Sequence, residues 1–168
     1  MTLQKELDLD LPFEDFRHEA MLGIVRTATL AAVLAGKMLR RFDLTEAQFN
    51  VLFALRYKTR ALTQVELGRR LVVTRATVTS VLDKLESKGY VERQNVPDNR
   101  RSYHVALTEA GRALVDQVEP VYRNSIHYVL GHLDEDDVKH LIRILDPVRA
   151  RMRELARTED SLEPAASR

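Results

Sequence analysis

The chain of 168 residues contains no cysteine, and this absence limits the chemistry open to it. Without a thiol, cysteine nucleophiles, zinc–cysteine sites and cysteine-based redox sensing are all excluded. The few glycines form no phosphate-cradling loop, and no motif of a catalytic nucleophile is present. The sequence therefore predicts a protein that is not an enzyme and that needs no cofactor.

Long uncharged apolar runs are also scarce. The longest runs from Thr27 to Gly36, whereas a membrane-spanning helix needs roughly 20 apolar residues. The acidic N-terminal stretch lacks the basic region and apolar core of a signal peptide. With 45% hydrophobic and 30% charged residues, the composition is that of a globular protein. We therefore expect a cytoplasmic protein that makes no membrane contact.

Two short helices with marked starts lie in the middle of the chain. Thr63 and Glu66 have the spacing of a capping box, in which each side chain satisfies a free backbone N–H of the helix start. Thr74 is predicted to cap a second helix, which ends at Gly89, where a left-handed C-cap is easiest. About three residues separate the two helices, which is typical of a helix-turn-helix.

The second helix has one apolar face and one free face. At roughly 100° per residue, its valines and leucines at 78, 81, 82 and 85 fall on one stripe and should be buried. The opposite face is small or hydrogen-bonding, so it can enter a major groove and contact base edges. The DNA-binding residues predicted on this helix are Thr74, Arg75, Ala76, Thr77, Thr79, Ser80 and Lys84.

A basic β-hairpin is predicted directly after this helix. Residues 90–94 and 102–107 have strand composition, and the segment VPDNRR joins them with turn-forming residues. The tip residues Asn99, Arg100 and Arg101 are predicted to reach a phosphate or a narrow minor groove. Two helices followed by such a hairpin favour a DNA-binding protein.

These segments resemble a known family. TQVELGRRL, TRATVTSVLDKLESKGYVER, PDNRRSYHVALTEAG and the preceding LTEAQFNVLFAL are similar to the winged helix-turn-helix of the MarR (multiple antibiotic resistance regulator) family of bacterial transcription factors. The resemblance covers roughly residues 20 to 155. It implies that Arg101 is the wing arginine that enters the minor groove. The family usually has an aspartate two positions earlier, where this chain has Asn99, with the carboxylate displaced to Asp98.

The resemblance further implies a triangular homodimer that binds double-stranded DNA, represses or activates promoters and is often released by a small ligand. An effector pocket is implied where the first, second and fifth helices meet. Its candidate lining residues are Arg26, Met38, Tyr57, Arg112 and Tyr122. Because two of these are basic, an aromatic acid or an acyl-CoA is the predicted ligand class.

The rest of the chain is predicted to be helical, giving a mainly α fold with long N- and C-terminal dimerisation helices and one hairpin wing. The predicted parts are an N-terminal extension and dimerisation helix (1–44), the winged helix-turn-helix (45–107), C-terminal dimerisation helices (108–156) and a flexible tail (157–168). Pro120 is predicted to kink or break the helix that begins near Thr108. The last helix, from Asp134, carries an apolar stripe that a partner chain would cover.

The formal net charge of +1 conceals a polarised distribution. Between Arg69 and Arg101, basic residues outnumber acidic ones by four, whereas residues 1 to 20 carry an acidic excess of the same size. A field of this kind suits a protein with one surface that meets phosphate.

Two other functions are weighed against DNA binding. His132, Asp136 and His140 have spacings of four residues that suit metal ligands, but acidic residues at a helix start are more simply explained as caps, so no metal site is predicted. A helical protein-interaction module without DNA activity is the alternative function. A wing carrying Arg100 and Arg101 favours the regulator, and salt-dependent binding to duplex DNA would discriminate between the two.

Overall fold

The computed structural model describes residues 2–71, 75–96 and 99–156, and the side chains at 75, 96 and 99–102 lie outside that description. The described elements are, in order, α1 (Leu3–Glu6), α2 (Phe16–Leu39), α3 (Glu46–Arg56), β1 (Leu62–Thr63), α4 (Gln64–Leu71), α5 (Arg75–Ser87), β2 (Val91–Val96), β3 (Asn99–Leu107), α6 (Glu109–Leu130) and α7 (Glu135–Leu155). A short 3-10 turn follows α2. The predicted mainly α fold with a hairpin wing is confirmed.

The chain divides into two compact units, Met1–Tyr122 and Arg123–Arg168, and α6 continues from the first into the second. The hydrophobic core lies in the first unit, where α3, α4, α5 and the sheet pack together. Its fully buried side chains include Leu39, Leu52, Leu62, Leu67, Leu82, Leu85, Val51, Val78, Val105, Val115 and Val118. In the second unit, α7 has no buried residue.

Side chains cap the starts of α3 and α7. Thr45 and Gln48 form a capping box at α3, with the Gln48 N–H donating to Thr45 Oγ1 at 3.2 Å and the Thr45 N–H donating to Gln48 Oε1 at 2.9 Å. Asp134 caps α7 by accepting from the Asp137 N–H at 2.8 Å. After α5, Gly89 has a φ of 71°, in the left-handed region where glycine is least strained. Local sequence signals therefore fix these helix ends.

The three strands form an antiparallel sheet in the order β1-β3-β2. Leu62 of β1 pairs with Val105, and Arg93 of β2 pairs with that same residue from the other side. β1 was not predicted, because two residues carry no periodicity from which a strand can be recognised. Its pairing fastens the start of α4 to the wing.

The motif LT-x-x-G joins the wing to α6. Thr108 donates its hydroxyl to the Gly89 carbonyl at 2.6 Å and accepts from the Gly111 N–H at 3.0 Å, so one side chain caps α6 and holds the end of α5. A Cβ on Gly111 would stand 2.0 Å from the Tyr90 carbonyl oxygen. Glycine is therefore required here by close backbone packing.

Of the two effects predicted for Pro120, a kink or a break of its helix, the break does not occur. α6 continues through Pro120 to Leu130, and α7 likewise contains Pro147. A proline removes a single N–H donor, and the packing of Val115 and Val118 in the core holds the preceding turns in place.

The N-terminal helical stretch is more apolar than its longest uncharged run indicates. Phe16–Phe42 is a helical stretch of 27 residues whose apolar 18-residue window has a mean hydropathy of 1.5 and is 6% buried, so by length and composition it is able to cross a membrane. Such a helix is weak evidence of a membrane protein, since a dimerisation helix whose partner is absent has the same exposed apolar composition.

Candidate nucleic-acid interface

α5 has the two faces that its sequence predicts. Val78, Leu82 and Leu85 are buried, and the valine at 81 is half-buried. Among the predicted DNA-binding residues of this helix, Ala76, Thr77, Thr79, Ser80 and Lys84 are exposed. Thr74 and the side chain of Arg75 lie outside the described part of the chain. The exposed face is small and polar, as a helix that enters a major groove requires.

Thr79 differs from its neighbours because its hydroxyl is engaged with α4. Gln64, the first residue of α4, donates from its side-chain nitrogen to Thr79 Oγ1 at 3.0 Å. This bond ties the two helices of the helix-turn-helix near their exposed edge. Thr79 therefore has a structural contact beside the base-reading role that the sequence predicts for it.

The start of α4 is held by a carboxylate with several donors. Glu66 accepts from the Thr63 N–H at 2.8 Å and from the Thr63 hydroxyl at 3.0 Å, and the Glu66 N–H donates to Thr63 Oγ1 at 3.2 Å, which confirms the predicted capping box. Arg60 adds an ion pair that the sequence analysis missed. The Arg60 hydrogen bond, followed by that of the Thr63 backbone, lowers the pKa of Glu66 from 4.5 to about 2.

Arg93 lies against α5, a contact that its place in the basic excess of the sequence did not predict. Its guanidinium donates to Asp83 Oδ1 at 2.6 Å and to Glu86 Oε2 at 2.8 Å, and its side chain is 18% exposed. Spacings of ten and seven residues across a helix end gave no local signal for this contact. The basic surface around α5 therefore includes a cation that is already paired within the protein.

The wing is described mainly by its backbone. β2 and β3 pair from Val91 opposite Leu107 to Asn95 opposite Tyr103, and the register shifts at Asn95 and Val96. Asn99, Arg100 and Arg101 belong to β3, but their side chains, and the whole of residues 97 and 98, lie outside the described residues. Their contact with DNA stays a prediction.

A cavity of about 330 Å³ lies between the C-terminal end of α5 and the corner that joins α2 to α3. Lys88 closes one side by donating its Nζ to the carboxylate and the carbonyl of Asp43, both at 2.7 Å. Asp43 has a φ of 52°, so this one residue of the corner adopts the left-handed conformation. The ion pair fastens the end of α5 to the end of α2.

The five candidate effector residues occupy different surroundings. Arg26 donates its Nε to Glu6 Oε1 at 2.7 Å, so the N-terminal segment already supplies it with a carboxylate. Met38 packs against the core, and Arg112 is exposed on the first turn of α6.

Tyr57 and Tyr122 are linked by a row of aromatic rings. Tyr57 contacts Phe53 with tilted rings at 4.8 Å between ring centroids, Phe53 contacts Phe49 at 5.6 Å, and Phe49 contacts Tyr122 at 5.1 Å. The Tyr57 hydroxyl also donates to Glu119. The row brings the two tyrosines into one aromatic cluster.

Metal binding, which was weighed against DNA binding from the sequence, is not supported by the side-chain geometry of the described residues. Within residues 2–71, 75–96 and 99–156, no three histidine or acidic side chains are grouped so that they could hold a metal ion.

The fold and the exposed face of α5 together define a winged helix-turn-helix protein of the DNA-binding class.

Comparison with known proteins gives the family. Residues 44–103 match the sequence pattern of the MarR family. The multiple antibiotic resistance protein MarR of Escherichia coli is 35% identical over 116 residues, which are 68% of this chain and 80% of that protein. Several Bacillus regulators match over 65% of their own length. The chain belongs to the MarR family, whose members are DNA-binding transcription regulators, and this confirms both the resemblance and the prediction that it is not an enzyme.

Solved structures agree with this assignment. AbsC, a MarR family regulator from Streptomyces coelicolor, superposes with a TM-score of 0.78 at 20% identity, covering 86% of this chain and 99% of that one. BpsR of Bordetella bronchiseptica, whose DNA binding is regulated by 6-hydroxynicotinic acid, gives 0.71 at 25% identity over 78% of this chain and 98% of that one. Because AbsC is only 20% identical to this chain, its likeness shows the winged helix fold alone.

Proposed function

We propose that the protein is a homodimeric, ligand-responsive repressor that binds a near-palindromic operator. In this proposal α5 enters the major groove and the wing reaches the flanking minor groove, as in other proteins of this architecture. The exposed row Ala76, Ser80 and Lys84 on α5 is the observation that carries it, because a small, polar, cationic face has no role in the hydrophobic core.

Dimerisation is supported by apolar side chains left exposed along α2 and α7. On α2, Val25, Val33 and Leu34 are exposed, and on α7, Leu141, Ile142 and Ile144 are exposed. Large apolar side chains exposed along a helix favour a contact with another molecule. A second copy of the chain would cover these stripes and place two α5 helices about one helical turn apart on DNA.

The experiment that tests this function starts with selection of bound duplexes from a random DNA library. A protein that reads two half-sites should enrich an inverted repeat, and its affinity for the enriched duplex should fall steeply between two salt concentrations, since phosphate contacts release counterions. Failure to enrich any sequence would refute operator binding. The alternative of an interaction module without DNA activity is not retained, because the relatives are transcription regulators.

The effector proposal keeps Arg26, Met38, Tyr57, Arg112 and Tyr122 as candidate contacts, with an aromatic acid or an acyl-CoA as ligand, whose anionic group would replace the carboxylate of Glu6 at Arg26. The regulation of BpsR by 6-hydroxynicotinic acid, an aromatic acid, supports this class. The ligand weakens DNA binding only by the ratio of its affinities for the two conformations, so a typical coupling corresponds to a release of about 5- to 150-fold.

This ligand class is tested by titrating the protein–DNA complex with a panel of aromatic acids and their coenzyme A esters. Fluorescence anisotropy of labelled operator reports release. We expect at least one compound to lower the affinity by about fivefold or more. If no compound changes the affinity more than about twofold, this ligand class is excluded. Such an outcome would not affect the proposal that the unliganded protein binds an operator, because that binding is measured separately.

A further inference from the structure

Arg93 joins the wing to the helix that we place in the major groove. It lies on β2, and its guanidinium makes three contacts with α5: Asp83 at 2.6 Å, Glu86 at 2.8 Å and the Thr79 carbonyl at 3.5 Å. Positions 79, 83 and 86 follow one another at helical spacing, so the three groups that the guanidinium contacts lie on one flank of the helix over about two turns.

The burial of this contact distinguishes it from an ordinary surface ion pair. The Arg93 side chain is 18% exposed, while the carboxylates it contacts are 57% and 40% exposed. A surface ion pair contributes little because two mobile side chains must be ordered. Here the arginine is already confined between strand and helix, and it uses both ends of its fork, which fixes direction as well as distance.

The anchored strand leads directly to the wing tip. Arg93 pairs with Val105 in the sheet, and two residues further along, Asn95 pairs with Tyr103, after which the register shifts. Because only a short paired segment separates Arg93 from the tip, the angle between β2 and α5 determines where the tip lies relative to the groove. A displacement of the tip misplaces any contact that it makes with the flanking DNA.

We propose that Arg93 is a positioning residue for sequence-specific DNA binding: through Asp83 and Glu86 it sets the angle of the wing on α5 and does not itself contact DNA. This inference rests on the proposed operator binding. It assigns the same function to the two acidic side chains, although they lie on a helix that should approach phosphate. The contact that anchors β2 to α5 therefore requires both the cation Arg93 and the anions Asp83 and Glu86.

Two variants break the anchor from opposite sides. Arg93→Gln removes the cation and makes the protein more acidic, whereas Asp83→Asn with Glu86→Gln removes the anions and makes it more basic. The affinity of each is measured by anisotropy on a duplex selected by the wild type and on a random duplex. We expect both variants to lower the ratio of specific to random affinity by about tenfold, because each loses the equivalent of one base contact.

A direct electrostatic role of Arg93 gives a different result. If the guanidinium contacts phosphate, Arg93→Gln weakens both duplexes equally while the double variant, with the arginine released, binds both more tightly. A specificity ratio that stays at the wild-type value in either variant overturns the proposal. Arg93→Lys should recover only part of the ratio, since an ammonium cannot span two carboxylates as a fork.

Controls separate these outcomes from loss of fold and from failure of the proposed function. Arg56→Gln makes the same exchange at another ion pair of this unit, with Asp116 at 3.0 Å, and should leave the ratio unchanged. Circular dichroism and thermal unfolding establish that each variant is folded. If the wild type itself selects no sequence, the proposed function fails, whereas selection by the wild type with an unaltered ratio in the variants refutes only the role of Arg93.

Discussion

Ser80 and Arg101 are expected to act on DNA in different ways. Ser80 is exposed in the middle of α5, where its hydroxyl would contact base edges in the proposed complex, so Ser80→Ala should lower affinity for the selected duplex about fivefold and leave random DNA almost unaffected. Arg101→Ala should lower the slope of log affinity against log salt by about one unit if it meets phosphate, or flatten the preference for A·T-rich flanks. Equal losses for both variants on both duplexes would contradict this assignment.

Glu66 is expected to make the stability of α4 depend on pH. Its pKa is lowered in the folded protein to about 2, so its contribution is fully present above its ordinary value of 4.5 and is lost as the pH falls toward 2. Glu66→Gln should therefore unfold at a lower temperature than the wild type at pH 7. Because Gln is uncharged, the difference between the two should shrink steadily below pH 4.5.

Thermal unfolding followed by circular dichroism over that pH range measures this difference. Glu46→Gln, at an exposed glutamate in the first turn of α3, is the matched control for the same exchange at another helix start. A difference between wild type and Glu66→Gln that is the same at pH 7 and pH 2.5 would show that the ion pair with Arg60 does not hold the helix start.

At the level of single residues, the sequence predicts what is local. The capping box of Thr63 and Glu66 follows from a spacing of three residues, and the buried and exposed faces of α5 follow from helical periodicity. The contacts of Lys88 with Asp43, which are 45 residues apart, depend on how the helices pack. Such pairs cannot be read from the sequence, because many acidic and basic residues offer equally plausible partners.

Gly111 is the point at which α6 meets the end of the sheet. A Cβ at this position would come within 2.0 Å of the Tyr90 carbonyl oxygen and 3.3 Å of Leu107 Cδ2. Alanine is the better helix former, but a clash with backbone cannot be relieved by a rotamer change. We expect Gly111→Ala to lower the free energy of unfolding by about 2 kcal/mol.

Urea denaturation of Gly111→Ala beside Gly36→Ala provides the comparison. A Cβ on Gly36, in α2, would meet no heavy atom within 4 Å, so this control should be neutral or slightly stabilising. Both are measured at one protein concentration. If Gly111→Ala is as stable as the wild type, close packing is not the reason for glycine in this motif.

Among the elements, the long helices and the wing were predicted and the shortest strand was not. Helices of 22 and 21 residues repeat their apolar pattern several times, which makes them recognisable. β1 has two residues and exists because Leu62 and Thr63 pair with Val105 and His104. The break predicted at Pro120 does not occur, because the packing of the surrounding turns overrides a strong local signal against helix.

The whole molecule is expected to depend on a second copy of itself. Ile142 is 53% exposed on α7 and belongs to its apolar stripe, so within one chain Ile142→Glu should cost little. In a dimer that buries this stripe, a carboxylate without a partner would be costly. We therefore expect sedimentation to show the wild type as a dimer at micromolar concentration and Ile142→Glu as a monomer that retains its helical circular dichroism.

Loss of the dimer should also remove operator binding. One α5 helix and one wing contact only a half-site, and linking two such modules raises the apparent affinity by about 10²- to 10⁴-fold without any new contact. Ile142→Glu should therefore lose specific binding to the inverted repeat, and deletion of residues 134–168 should do the same. Lys139→Glu, which reverses a charge on the polar side of α7 beside Glu135, is the control and should remain dimeric. A wild type that is monomeric while still selecting an inverted repeat would refute the dimer, because nothing within one chain supplies the two-fold symmetry of such a site.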